Sequence, residues 1–336
     1  MAEIVEKPEA FRATAQKIIK RVFRHENAVL IIILAGIMGV VAVLSKGRSV
    51  SRLNLSNILV QSSTRGLAAI GELFVLLTAG IDLSIGGIAL TSSVMAASLM
   101  TTGHQNIIGA PIPLGVGIML MLLMGLGIGA VNGLAVSRLG MSSVIVTLAM
   151  WIMSTGFAYA FCKGFTIQLL PRSLAFFGAG NIAGVPAPIV IFIGIAVLVY
   201  FVLNHTAFGR SVFAAGGNPV SAWLAGINVK RIQFLVLVFS GFLGALAGLV
   251  IMGRCMVAGM LTGGGLELDG IAAALIGGVS LAGGKGSVIG VVIGSVIIGV
   301  INNGMNILAV GPAYDDIVKG GIIFAAVAID VIRRRR

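Results

Sequence analysis

The segment GGVSLAGGKGS at 277–287 contains glycines and a lysine, the components of a loop that could cradle a nucleotide phosphate. Such a loop needs a glycine five positions before the glycine that precedes the lysine, and Ser or Thr after the lysine. Val279 stands at the first of these positions, and Gly286 follows Lys285. We therefore interpret the segment as a tight turn between two helices and expect that the chain does not bind ATP itself.

Patterns for catalysis or metal binding do not occur elsewhere in the sequence. The three histidines, His25, His104 and His205, fall in terminal or loop segments, and no spacing typical of a zinc site or a nucleophile elbow is present. We expect no catalytic residue, no bound metal and no cofactor.

Polar side chains that interrupt long apolar stretches are the remaining candidates for chemistry. Amides offer donors and acceptors to hydroxyl groups without burying a charge. The candidates for lining a path for a polar solute are Asp82, Asn132, Asn302, Asn303 and Asn306. An alternative stays open for each, because Asp82 can cap the helix that begins there and the asparagines can hydrogen-bond between helices.

A carboxylate also interrupts the apolar stretch around Glu72. Arg65 lies seven residues earlier, on a similar helical face, and could form an ion pair with it.

The elements that must position these residues are membrane helices. The chain is 58% hydrophobic and 10% charged, with a mean hydropathy of +1.09, which leaves too little charge to cover a soluble protein of 336 residues. The 48 glycines suit membrane helices that approach one another closely. We predict an all-α, polytopic integral membrane protein.

Ten apolar stretches predict about ten transmembrane helices in a single domain over residues 28–332. The predicted spans are 28–44, 57–79, 82–102, 112–137, 143–162, 188–203, 232–252, 267–282, 287–308 and 314–332. A basic segment, 1–27, precedes them, with a possible interfacial helix, and a basic tail, 333–336, follows. Because the Lys and Arg residues concentrate in these ends and in alternate loops, both termini are predicted to be cytoplasmic. This distribution argues against nucleic-acid binding.

Residues at the opposite, outer face could meet an external partner or could merely connect spans. The candidates for docking such a partner are Arg172, Arg254, Glu267 and Asp269. They belong to the loop 163–187, to the glycine-containing connection 253–266 and to the start of the eighth span. Cys162 and Cys255 could also lie near this face, but we expect them to be unpaired.

Glycines at four-residue spacing occur twice, in 125–133 and in 286–294, and predict grooves for neighbouring helices. Asp82 opens the third span and Asp269 opens the eighth, each followed by a glycine-rich span. Because those two spans would run in opposite directions, the similarity could reflect an inverted repeat or could arise by chance.

The loop 204–231 lies on the predicted cytoplasmic side and contains a short helix. Asn218 can cap it, Pro219 suits its first turn, and Gly226 can end it. Val220, Ala222, Trp223 and Leu224 would present an apolar surface there. This surface could enter the groove of a cytosolic partner, or the helix could pack back on the ends of the spans.

From residue 50 onward the sequence resembles the permease subunits of ATP-binding-cassette importers for monosaccharides, in particular the ribose, galactose and xylose type. The similar segments are NILVQSS (57–63), TAGIDLSIGG (78–87), FAAGGNPVSAWLAGINV (213–229), ELDGIAAALIGGVSLAGGKGSVIG (267–290) and INNGMNILAVGPAYDDIVKGGII (301–323). Glu72 departs from this family, which usually has an apolar residue there.

The resemblance implies an alternating-access permease in the bacterial inner membrane, paired with a second copy, most simply as a homodimer. It also implies a cytosolic ATPase that uses ATP and Mg²⁺, and a periplasmic or lipid-anchored sugar-binding protein. Its ATPase-coupling residues map to Gly217, Asn218, Pro219, Ala222, Trp223, Leu224 and Gly226. The alternatives are an ATP-driven permease for branched-chain amino acids or nucleosides, or a stand-alone secondary transporter or channel.

Overall fold

The computed structural model describes residues 26–334, and this part of the chain is almost entirely helical. The first five helices are α1 (Glu26–Leu44), α2 (Arg52–Leu77), α3 (Ile85–Met100), α4 (Leu114–Ser137) and α5 (Ser143–Cys162). The middle of the chain forms α6 (Ala175–Ala179), α7 (Ala187–His205), α8 (Ala207–Gly217), α9 (Pro219–Leu224) and α10 (Val229–Cys255). The last three are α11 (Leu266–Ile276), α12 (Val288–Ile307) and α13 (Pro312–Arg334). The predicted interfacial helix lies outside the described residues, as do the last two residues of the basic tail.

Several helices begin where a polar side chain caps the first turn. Ser51 accepts the backbone N–H of Asn54 at the start of α2, and Thr206 accepts that of Gly209 in α8. Asn228 accepts the N–H of Arg231 at 2.9 Å at the start of α10. These side chains satisfy backbone donors that have no partner within the helix, so they fix where each helix starts.

Each of the ten predicted spans coincides with one helix. Among the described residues, six helices are long and apolar enough to cross a bilayer by length and composition. The predicted span 267–282 is wrong in its extent, because α11 has only 11 residues. At about 1.5 Å per residue it covers roughly 16 Å, about half of the hydrocarbon core. The helix α3 is also short, with 16 residues where the span 82–102 was predicted.

Irregular backbone precedes α3 and takes its hydrogen bonds from neighbouring side chains. The N–H of Ile81 donates to Ser143 Oγ at 3.1 Å, and the N–H of Leu83 donates to Thr147 Oγ1 at 3.0 Å. Non-helical backbone at membrane depth is tolerated when protein groups satisfy it in this way.

The packing of the helices follows the pattern of an inverted repeat. The helix α4 packs on α3 and α10, whereas α12 packs on α11 and α2. Similarly, α3 contacts α10, and α11 contacts α2. The carbonyl of Leu77, at the C-terminal end of α2, lies beside Gly216, which shortly precedes the start of α10. The helices α2 and α10, which occupy corresponding places in this packing, therefore run in opposite directions, as an inverted repeat requires.

Both glycine series act in packing, as predicted. A Cβ atom on Gly129 would lie 2.5 Å from the carbonyl oxygen of Leu237, so α4 contacts the backbone of α10. In the second series, a Cβ on Gly290 would overlap the carbonyl oxygen of Gly277, and one on Gly294 would overlap that of Ala273.

The connection 163–186 has more structure than a simple loop. It contains a 3₁₀ turn at Arg172–Leu174, the helix α6, and a hairpin of β1 (Asn181–Ile182) with β2 (Val185–Pro186). Ile167 and Ala258 exchange backbone hydrogen bonds of 2.7 and 3.0 Å, which tie it to the segment after α10. Cys162 is buried and Cys255 exposed, and both are unpaired, as expected.

Candidate functional site

The first turns of α3 and α11 meet inside the helix bundle. A Cβ on Gly86, in the first turn of α3, would overlap the Glu267 carboxylate and would lie 2.9 Å from the carbonyl of Gly263. Gly263 and Gly265 have φ angles of +82° and +78°, which favour glycine and let the chain turn into α11. Two helix N-termini, each carrying a partial positive charge, therefore converge within the protein.

A hydrogen-bond network surrounds Asp82 beside this junction. Asp82 Oδ1 accepts the N–H of Ser84 at 2.9 Å and the Ser84 hydroxyl at 2.5 Å, and Oδ2 accepts the Ser240 hydroxyl at 2.7 Å. Asn132 Nδ2 donates to Ser84 Oγ at 2.8 Å. The prediction that Asp82 caps the helix is wrong in detail, since α3 starts at Ile85 and Ser84 is its N-cap residue. Asp82 instead joins α3, α4 and α10.

Glu72 belongs to the same buried region. It has no exposed surface, and its Oε2 accepts the N–H of Asp82 over 3.4 Å. The predicted ion pair with Arg65 is therefore wrong, because Arg65 points to a different carboxylate.

That carboxylate is Asp269, in the first turn of α11. Its Oδ2 lies 2.6 Å from Arg65 Nε, and its Oδ1 lies 3.0 Å from Lys319 Nζ. Asn302 Nδ2 donates to Oδ2 at 3.5 Å. We call Arg65, Asp269 and Lys319 the charged triad. It joins α2, α11 and α13, and Asn302 adds α12.

The triad corrects one sequence prediction. Glu267 and Asp269 were expected to dock an external partner, but both are buried, with 9% and 4% of their surface exposed. Arg172 and Arg254 are exposed, so docking through those two arginines stays a prediction.

The predicted path residues fall in four places. Asp82 and Asn132 share the network at the start of α3, and Asn302 contacts the charged triad. Asn303 exchanges amide hydrogen bonds of 2.9 and 3.0 Å with Asn54, while Asn306 is exposed. The alternative interpretation, that these asparagines hydrogen-bond between helices, holds for Asn132, Asn302 and Asn303. Contact with a solute stays a prediction.

The short helix in the loop 204–231 forms as predicted and is α9. Asn218 Oδ1 accepts the N–H of Ser221 at 3.0 Å, Pro219 is the first helical residue, and Gly226, with a φ of +83°, follows the end. Trp223 and Leu224 are 69% and 73% exposed. Val220 is also exposed, whereas Ala222 is buried, so the prediction that Ala222 contributes to the apolar surface is wrong.

A second helix, α8, lies before α9 and holds it against the bundle. This helix was not predicted from the sequence, although Thr206 caps it in the same way as Asn218 caps α9. A Cβ on Gly216 would overlap the carbonyl oxygen of Leu77, so α8 lies directly against the end of α2.

The segment 277–287 completes this contact. The N–H of Gly284 donates to the carbonyl of Leu77 at 2.9 Å, and a Cβ on Gly284 would lie 2.6 Å from Gly217. The segment is a tight turn, as predicted, since the N–H of Ser280 donates to the carbonyl of Lys285 at 2.9 Å. The helix α8 therefore connects α9 to the C-terminal end of α2 and to the turn that precedes α12.

The short helices α3 and α11 meet inside the bundle, and the exposed helix α9 is connected to the ends of the long helices α2 and α12. These are features of a helical membrane permease. Residues 54–327 match the family described as "Branched-chain amino acid transport system / permease component". The chain belongs to this family and is a multi-pass membrane protein.

Individual relatives of the chain are named for sugars. The chain is 38% identical to the D-allose transport system permease protein AlsC of Escherichia coli over 298 residues, which cover 89% of each protein. It is 40% identical to the ribose import permease protein RbsC of Bacillus subtilis over 280 residues, covering 83% of this chain and 84% of that one. The xylose permease protein XylH of Haemophilus influenzae is 32% identical and covers 92% of this chain. No solved structure matches the chain.

Proposed function

We propose that the chain is the membrane subunit of an ATP-driven importer that moves a monosaccharide by alternating access. The observation that carries this proposal is α9. This capped helix exposes an apolar face, and α8 connects it to the ends of two long helices. A groove of about 710 Å³ lies beside it, lined in part by Pro219, Trp223, Ile227 and Gln233. An exposed apolar helix next to a groove suits docking to another protein.

The proposed energy source is a partner subunit. Closure of a cytosolic ATPase on ATP and Mg²⁺ would move α9, and the contact of Gly216 with Leu77 would pass that movement to α2. A second copy of this chain would form the other half of the path, and a sugar-binding protein would deliver the solute. In this arrangement both termini and α9 face the cytoplasm.

The proposed substrate is a pentose or hexose, because the relatives at 32–40% identity are named for D-allose, ribose and xylose. The family description names branched-chain amino acids, which makes them the second candidate. A secondary transporter driven by an ion gradient is favoured less, because it would have no use for the exposed face of α9.

Coupling is tested by Trp223→Asp in the permease assembled with its ATPase. Burying the introduced carboxylate at the interface is unfavourable, and truncating a central interface residue costs roughly 2–4 kcal/mol. We expect sugar uptake to fall about 30-fold or more, with ATP hydrolysis no longer stimulated by the sugar-binding protein. Trp223→Phe keeps an apolar aromatic ring and should retain most of the uptake.

Normal uptake by a correctly folded Trp223→Asp protein would contradict docking through α9.

A further inference from the structure

A polar cavity of about 200 Å³ lies beside the charged triad and is not used by the coupling machinery described above. It is bounded by α2, the end of α10 and the glycine-containing segment that leads into α11. Its polar lining comes from Gln61, Thr64, Arg65, Arg254 and Asp269, and its apolar lining includes Ile251, Leu261 and Leu266. The backbone of Gly263 and Gly264 also borders it.

The cavity reaches the middle of α2. Arg65 lies 13 residues after the start of α2 and 12 before its end, so it is about 20 Å along the helix from either end. At the rim, Arg254, Cys255 and Leu261 are exposed, with Leu261 95% exposed. The helix α9 packs near the C-terminal end of α2, so the cavity opens on the side of the protein away from α9. Solute sites in transporters with inverted repeats lie near this depth, where interrupted helices begin.

The lining suits a neutral polyol. Asp269 offers carboxylate acceptors, Gln61 offers a donor and an acceptor, and the Thr64 hydroxyl offers both. Arg65 adds guanidinium donors. The apolar side chains can cover the C–H faces of a sugar ring. The volume corresponds to roughly six or seven waters at about 30 Å³ each, which is the scale of one small polyol.

We propose that this cavity is a binding subsite for one monosaccharide on its way through the membrane, an inference that rests on the proposed function. Arg65 and Lys319 are positioning residues for Asp269, since both lie within 3.0 Å of its carboxylate and hold its orientation. Asp269 accepts hydrogen bonds and Arg65 and Arg254 donate them, so the lining offers both kinds of partner to the hydroxyls of a sugar.

The chain contains a natural reporter for this site. Cys255 borders the cavity and is exposed, whereas Cys162 is buried. Cys162→Ser leaves Cys255 as the single thiol. The experiment measures the labelling rate of Cys255 by a membrane-impermeant maleimide in the permease reconstituted with its ATPase. D-ribose, D-allose, D-xylose or L-leucine is added at saturating concentration, and uptake of each is measured in parallel.

We expect the transported sugar to slow labelling at least about threefold and leucine to leave the rate unchanged. A sugar that is taken up without protecting Cys255 would overturn the subsite while leaving the proposed function intact. Uptake of leucine and of no sugar would overturn both. Protection by leucine alone, in a protein that takes up sugar, would also overturn the polyol assignment.

A paired substitution tests the polar lining without disturbing the charged triad. Thr64→Val removes a hydroxyl at nearly constant volume and should raise the sugar concentration for half-maximal protection by about two- to tenfold. Thr155→Val is the matched control, because its hydroxyl, like that of Thr64, bonds to a carbonyl of its own helix, but Thr155 does not line the cavity. An unchanged concentration in Thr64→Val, or an equal rise in both variants, would contradict the assignment.

Discussion

The substitution Asp269→Asn removes the negative charge from the charged triad while keeping nearly the same volume. In the native protein this carboxylate lies 2.6 Å from Arg65 Nε and 3.0 Å from Lys319 Nζ, with 5% of the Asp269 side chain exposed. The Arg65 side chain is 20% exposed and that of Lys319 9%, so solvent screens the first pair more than the second. The substitution leaves two cations close together without their shared anion.

Removing one partner of a buried ion pair costs about 3–5 kcal/mol, because an uncompensated charge stays behind. Solvent screens the partly exposed Arg65, which lowers its contribution to this cost. We therefore expect Asp269→Asn to reduce the free energy of unfolding by about 3 kcal/mol. The measurement is reversible unfolding in mixed micelles, followed by circular dichroism. Glu267→Gln is the comparison variant, since Glu267 is in the same helical turn and interacts with Asp269 and Lys319 only at longer range, with no salt bridge among the described residues. It should change stability by less than about 1 kcal/mol.

A second variant tests whether the loss of stability comes from the positive charges that remain. Adding Lys319→Met to Asp269→Asn removes one of the two cations that the Asp269 carboxylate contacts, so the double variant should regain about 1 kcal/mol or more. A loss below about 1 kcal/mol in Asp269→Asn, or no recovery in the double variant, would refute the role of the charged triad as a buried ionic junction.

Three further substitutions test the packing and the polar contacts. Gly129→Ala should destabilise the protein by about 1–3 kcal/mol, because the new methyl group meets the α10 backbone, whereas Gly127→Ala, with open space at its Cβ, should not. Ser240→Ala removes one donor from buried Asp82 and should cost about 1.5–3 kcal/mol by the same unfolding assay; Ser211→Ala, whose hydroxyl bonds within α8, is the control. Asn303→Ala and Asn54→Ala, measured in a double-mutant cycle, should show a coupling of about 0.6–1.7 kcal/mol, and additive effects would contradict the amide pair.

The order and direction of the helices could be predicted from the sequence, since apolar length and glycine spacing record how a segment meets lipid and its neighbours. The extent of α11 could not. Residues 277–282 are apolar enough to continue a span, but Gly278 adopts a φ of +84° and begins the turn that contacts α2 and α8. Helix α8 was missed because its composition resembles that of a loop. Its apolar residues pack against the ends of other helices.

The charged triad shows the limit of sequence reasoning more clearly. Arg65, Asp269 and Lys319 are each visible as charges inside apolar stretches, and a lone buried charge requires a partner. The sequence places Glu72 near Arg65 on one helical face, whereas the true partner is 204 positions away. Contacts between distant segments depend on tertiary packing, which one sequence without its relatives does not specify. The cap at Asn218 was predictable because its chemistry is local.

The central claim is that α9 couples this permease to an ATPase that drives sugar import. The most direct measurement is uptake of radiolabelled D-ribose, D-allose and D-xylose into proteoliposomes containing the permease and supplied with its sugar-binding protein, with and without its ATPase and ATP. We predict uptake of at least one sugar that requires both the ATPase and hydrolysable ATP, and that is lost in Trp223→Asp but kept in Trp223→Phe. Uptake driven by an ion gradient in the absence of the ATPase would contradict the account.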